Sequence, residues 1–114
     1  MLKYNNKIIA SKIVYCDNFL RQGTGLTFRT RKAVYDKAWI FRFNKPRRVG
    51  ITMFFVFFPI DIIFLDKNKR IVELKENLRP FRNYTSMKRI SSFIELKHRT
   101  IKKYSVKKGQ HLVF

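Results

Sequence analysis

The stretch TMFFVFFPIDIIFLD (Thr52–Asp66) carries no lysine or arginine in a chain that has 26 of them. A membrane anchor, a folded core and a ligand pocket are the readings open to such a run. A spanning helix needs about 20 consecutive apolar residues. Counted from Val49 to Leu65 the run is shorter than that, and Pro59 and Asp61 interrupt it. Proline breaks helical order, while Phe, Val and Ile favour extended backbone. Two strands are expected, Ile51 to Phe57 and Asp61 to Leu65, with Pro59 and Ile60 at the junction. Each would be apolar on both faces, so other parts of the chain must cover both. Phe54, Val56, Phe57, Ile62, Phe64 and Leu65 are the expected centre of the core.

The rest of the composition frames that core. At 114 residues, 46% hydrophobic and with 12 Phe, the chain reads as one folded domain, 1–114, long enough to bury a core. No internal repeat or low-complexity segment is visible. The N-terminal MLKYNNKIIASKIVYC has lysines through its short apolar stretch, unlike a signal peptide. Cys16 is the single cysteine, which excludes an internal disulfide and fits a reducing interior, so the cytoplasm is the expected location. A net charge of +19 favours anionic partners such as nucleic acid or phosphate ligands. A generally basic, solvated surface is the alternative.

Along the chain, KIIASKIVY (Lys7 to Tyr15) reads as a strand with a kink near Ser11. Asp17 can cap a short helical turn ended by Gly23 and Gly25. WIFRF alternates, with Trp39, Phe41 and Phe43 on one face and Ile40, Arg42 and Asn44 on the other. NKPRR reads as a turn or an edge. DKNK joins DIIFL to RIVEL as a hairpin, with Asn68 the expected left-handed residue. Glu76 to Thr85 reads as a loop, ISSFIEL (Ile90 to Leu96) as a strand, RTIKKY (Arg99 to Tyr104) as a short helix, and HLVF as a last strand. About seven short strands with one or two short helices predict a mainly β fold, a compact β-sandwich or barrel.

Three blocks resemble a known family. GLTFR (Gly25 to Arg29) is similar to the GLMFR block of the small bacterial and archaeal domain of unknown function 192 family. PIDIIFLDKNKRIVEL (Pro59 to Leu74) is similar to its PLDIIFLDKDGRVV block, and the close around Gly109 to its G-x-x-x-G-D. The resemblance implies a compact, mainly β single domain and no settled activity. Where members often carry F-W-M-K-N-T, this chain keeps Met53 but has Phe54, Phe55 and Val56. Lys69 replaces the usual turn glycine, and Gln110 the usual aspartate.

Asp61 is the most suggestive single residue. Between apolar strands its carboxylate must bond backbone amides, meet an arginine or be protonated, because an unpaired buried charge is costly. It is either the polar handle of a ligand pocket, with Arg29 as partner, or a structural acid that tethers a loop. The stripe Trp39, Phe41 and Phe43 beside Arg42, Lys45, Arg47 and Arg48 could stack bases along a phosphate track; the alternative is a strand face turned to the core. A second basic tract, Lys97, Arg99, Lys102, Lys103, Lys107 and Lys108, contains no acid and would attract phosphate. The nucleic-acid reading gains if the two tracts share one side of the fold.

Catalysis has little support. Cys16, His98 and His111 lack metal-ligand spacing, no Ser–His–acid order is evident, and Gly23–Gly25 is too short for a phosphate-binding fingerprint. No cofactor is implied. The expected function is a small non-catalytic binding domain that grips RNA, DNA or another polyanion through Arg42, Lys45, Arg47, Arg48, Lys102 and Lys103. The alternatives are a small-ligand pocket at Arg29 and Asp61, or an accessory protein in an assembly, with no membrane partner in either case.

Overall fold

A strand with branched or aromatic side chains on both faces has to lie inside a sheet covered above and below. IDIIFL does so. The computed structural model describes residues 1–16, 31–54 and 56–114. Its strands are β1 (Leu2–Tyr4), β2 (Lys7–Ala10), β3 (Lys12–Cys16), β4 (Lys37–Arg47), β5 (Gly50–Thr52), β6 (Ile60–Leu65), β7 (Ile71–Leu78), β8 (Asn83–Thr85) and β9 (Ile90–Lys97). A 3-10 turn spans Arg31–Val34, and one α-helix among the described residues, α1, spans Thr100–Lys103.

β3, β4, β9, β6 and β7 form one five-stranded sheet in that order. β3 runs parallel to β4, and the other pairs are antiparallel. β1–β2 and β5–β8 form separate two-stranded ribbons. The fold is mainly β, as the succession of short strand-like runs predicts, and among the described strands the sheets do not close into a barrel.

Period-two alternation sorts the side chains of the sheet into two cores. Trp39, Phe41, Ile60, Ile62, Phe64 and Phe93 pack on one face beneath Ile51 of the β5–β8 ribbon. Ile40, Ile63, Leu65, Ile94 and Leu96 pack on the other, beneath Leu2, Tyr4 and Ile9 of the β1–β2 ribbon. All six residues of β6 are buried. Each of its large apolar side chains contributes on the order of 2 kcal/mol. The alternating stripe of β4 is therefore core: Trp39 and Phe41 are buried, and Phe43 packs partly buried against them.

The first half of the decisive stretch differs from expectation. The strand ends at Thr52, and Phe54 and Phe57 are 57% and 56% exposed. Met53, Val56 and Phe58 are buried in their place. The physical reason is a tight turn in which the Val56 amide bonds the Met53 carbonyl at 3.0 Å. This turn breaks the two-residue period and points Phe54 and Phe57 outward. Val56, Ile62, Phe64 and Leu65 are buried as expected.

Other expectations need smaller corrections. In the β6–β7 hairpin the left-handed residue is Lys69 (φ 63°), not Asn68. Asp66 Oδ1 accepts the amides of Asn68 and Arg70, which fixes the first part of the turn and leaves Lys69 to close it. The NKPRR segment largely continues β4, to Arg47. The segment read as a loop includes the end of β7 and all of β8. HLVF makes only isolated bridges, Val113 with Lys3 and His111 with Arg70. The kink at Ser11 is the break between β2 and β3. The expected turn from Asp17 to Gly25, the GLTFR block and Arg29 lie outside the described residues.

Candidate functional site

Asp61 is wholly buried on β6. Its Oδ1 accepts the amide of Asn77 at 2.9 Å, and its Oδ2 accepts that of Ile101 at 2.9 Å. This bond pair ties the end of β7 and the start of α1 to the same point in the sheet. Asn77 (φ 52°) and Arg99 (φ 71°) both adopt the left-handed backbone that is unusual for non-glycine residues.

These tied segments form the walls of a cleft of about 790 Å³. Arg31, Arg79, Arg99 and Lys102 line it, with His98 beside them and Glu76 and the buried Asp61 as its acids. A second cleft of about 610 Å³ also borders α1, lined by Asp36, Lys37, Lys97 and Lys103 and sharing His98 and Arg99 with the first. The acidic side chains mostly engage other groups. Asp36 bonds the Ser11 amide, Asp66 two turn amides, and Glu73 the Tyr84 hydroxyl with the Met87 and Lys88 amides. Among the described residues, basic side chains line both clefts beside α1, while Asp36, Asp66 and Glu73 are directed at amides.

The family model described as DUF192, "Uncharacterized ACR", matches residues 2–114. The chain belongs to the DUF192 family. It is 31% identical over 108 residues to a UPF0127 protein of Pyrococcus furiosus, covering 93% of this chain and 89% of that one. It is 32% identical over 82 residues to a UPF0127 protein of Thermococcus sibiricus, covering 72% of this chain and 52% of that one. Among solved structures, a protein of unknown function from Novosphingobium aromaticivorans superposes with a TM-score of 0.81 at 21% identity, over 90% of this chain and 74% of its own. A candidate transcription regulator from Sinorhizobium meliloti superposes at 0.82 and 24% identity, over 89% and 79%. At those identities the likeness is one of fold.

In this DUF192 chain Asp61 and the cations expected to grip a polyanion fall in two places. Asp61 and Lys102 line one cleft, and Arg99 and Lys103 the region around α1. Arg42 and Arg47 lie at the far end of β9, where they register with Ser92 and Ile90. At about 3.3 Å per residue, the length of β9 separates the two tracts by roughly 20 Å. The two tracts therefore do not form one patch. Arg42 and Arg47 of β4 and Arg48 just after it are exposed but have intramolecular partners: Arg42 sits 4.4 Å over the Tyr15 ring, Arg47 4.3 Å over Phe43, and Arg48 Nε donates to the Ser86 carbonyl at 2.9 Å. Lys45 is exposed. The pairing of Asp61 with Arg29 falls outside the described residues, and both Asp61 oxygens have backbone partners.

Sequence reading missed Arg31, Arg79 and the surface aromatics Phe57 and Phe81. The signal available was the order LRPFR (Leu78 to Arg82), cations flanking an aromatic beside proline. It also missed Glu95, buried on β9 in register with Trp39 and Ile62. Its Oε2 has no hydrogen-bond partner, and burial pushes its carboxyl up to about 8. Tyr84 is pushed up to about 12, first by loss of solvent and then by its bond to Glu73. Among the described residues no three His, Cys, Asp or Glu side chains cluster as a metal site would need, and no helix is long and apolar enough to cross a membrane.

Proposed function

We propose that this DUF192 protein is a non-catalytic binding module for a polyanion, with RNA or DNA the class that fits best. The observation that carries this reading is the gathering of Arg31, Arg79, Arg99 and Lys102 in the cleft that Asp61 organises. Asp61 is the structural tether of that cleft, and the cations are its ligand-facing groups. The cationic lining continues around α1 through Lys97 and Lys103, farther than one small anion requires. A volume near 790 Å³ also lies within the range of small-ligand pockets, but those are predominantly apolar with few polar groups. Charge spread along a surface favours the polymer.

The test is binding of labelled single-stranded RNA and duplex DNA, titrated with salt from about 50 to 200 mM. Micromolar affinity that persists near physiological salt, with a linear fall of log K against log salt, is the expected result. Binding to neither polymer above low salt would reject the reading.

A further inference from the structure

Phe54, Phe57 and Phe81 are 57%, 56% and 53% exposed. They meet edge to face, with ring centroids 6.1 Å apart for Phe54–Phe81 and 5.6 Å for Phe57–Phe81. Most exposed large side chains occur singly and need no account. Three contiguous phenylalanine rings on a chain of net charge +19 do need one.

The backbone beneath Phe81 adds to the case. Phe81 has φ 63°, a conformation that costs a bulky residue on the order of 1–3 kcal/mol and tends to occur at functional sites. Two bonds enforce it. The Phe81 amide donates to the Met53 carbonyl at 3.0 Å, and the Met53 amide donates to the Arg82 carbonyl at 2.9 Å. The strain therefore holds a ring in solvent rather than in the core. Phe57 itself lines the Asp61 cleft, as does Pro80, which precedes Phe81. Arg79 and Arg82, on either side of that Pro80–Phe81 pair, are both exposed.

We propose that Phe57 and Phe81, joined by Phe54, form a base-stacking platform beside the cationic cleft, so that the polyanion this protein binds is a single-stranded nucleic acid. This rests on the polyanion reading above. Charge complementarity selects the occupant. A rim of Arg31, Arg79, Arg99 and Lys102, with the exposed Arg82 next to Phe81, suits a phosphate backbone, and exposed rings beside it suit the flat faces of bases. Only an unpaired strand offers those faces, because a duplex hides them in its own stack.

The test compares a single-stranded oligouridine with a duplex of equal length, for the wild type and for Phe57→Leu/Phe81→Leu, at constant salt. The wild type is expected to prefer the single strand. The double variant is expected to lose about tenfold or more in single-strand affinity, with duplex affinity unchanged. Because Phe81 sits in a strained turn, a second variant supports the test: Phe57→Trp is expected to show fluorescence quenched by oligouridine and not by duplex. Equal affinity for strand and duplex, unmoved by the double variant, would overturn the platform while leaving the polyanion reading intact. Binding to neither would overturn both. Self-association, or binding to anionic phosphatidylserine vesicles, that depends on Phe57 and Phe81 in place of strand preference would assign the rings to another partner and overturn the proposal.

Discussion

Asp61 Oδ2 on β6 accepts the backbone amide of Ile101, forty residues later, at 2.9 Å. With the bond from Asn77 to Oδ1, it makes one carboxylate the joint between a central strand, an edge strand and the helix that flanks the cationic clefts. The aspartate of the family-like PIDIIFLD block thus has a structural task that explains its depth. Anion recognition falls to the segments it holds.

Asp61→Ala leaves the Ile101 amide buried and unpaired and frees that of Asn77. An unsatisfied buried donor costs about 1–3 kcal/mol, so a loss of about 2–4 kcal/mol is expected in urea unfolding. Polyanion affinity should fall as well, although no cation is removed. A variant of unchanged unfolding midpoint would contradict the tether.

Glu95 predicts how stability varies with pH. Its carboxyl is raised from 4.5 to about 8 by burial, so between those values the folded chain retains a proton that the unfolded chain releases. Stability from this group is complete below about pH 4.5 and declines as pH rises through about 8, at up to about 1.4 kcal/mol per pH unit. Glu95→Gln, neutral at every pH, should flatten that decline. Parallel profiles from pH 5 to 8 for the two proteins would show that Glu95 is ionised when folded.

The turn between β5 and β6 separates two neighbouring phenylalanines. Phe58 is 2% exposed and Phe57 56%. Phe58→Ala should cost about 3–5 kcal/mol, and Phe57→Ala less than about 1 kcal/mol. Equal costs, measured by thermal unfolding, would mean that the stretch is the regular strand its composition suggests.

How much of this was readable from sequence depends on how local the controlling physics is. The β6–β7 hairpin, β9, the break at Ser11 and the short helix near residue 100 all follow from runs of residues whose own preferences agree with the fold. Phe54 and Phe57 mislead because their orientation is set by the Val56–Met53 turn bond and by Met53 pairing across to Arg82, a contact from beyond the segment. The parallel pairing of β3 with β4 and the separation of the two basic tracts along β9 are likewise matters of topology. The importance of Asp61 could be inferred from a charge amid apolar residues. Its partners could not, since backbone amides leave no mark in the sequence. Arg79 looked like an ordinary loop residue because only the fold brings it beside Arg31 and Lys102, and Phe81 because only the fold sets it against Phe57.

The most direct measurement is the affinity of a single-stranded RNA oligonucleotide, titrated with salt, for two charge-reversal pairs. Arg79→Glu/Lys102→Glu alters the cleft that Asp61 organises; Arg42→Glu/Arg47→Glu alters the far end of the sheet by the same net charge. The cleft pair should lose at least about tenfold in affinity and reduce the salt slope by about two. The strand pair should change both far less. Equal losses for the two pairs would mean that the protein attracts RNA by overall charge alone, and the cleft would then hold no site.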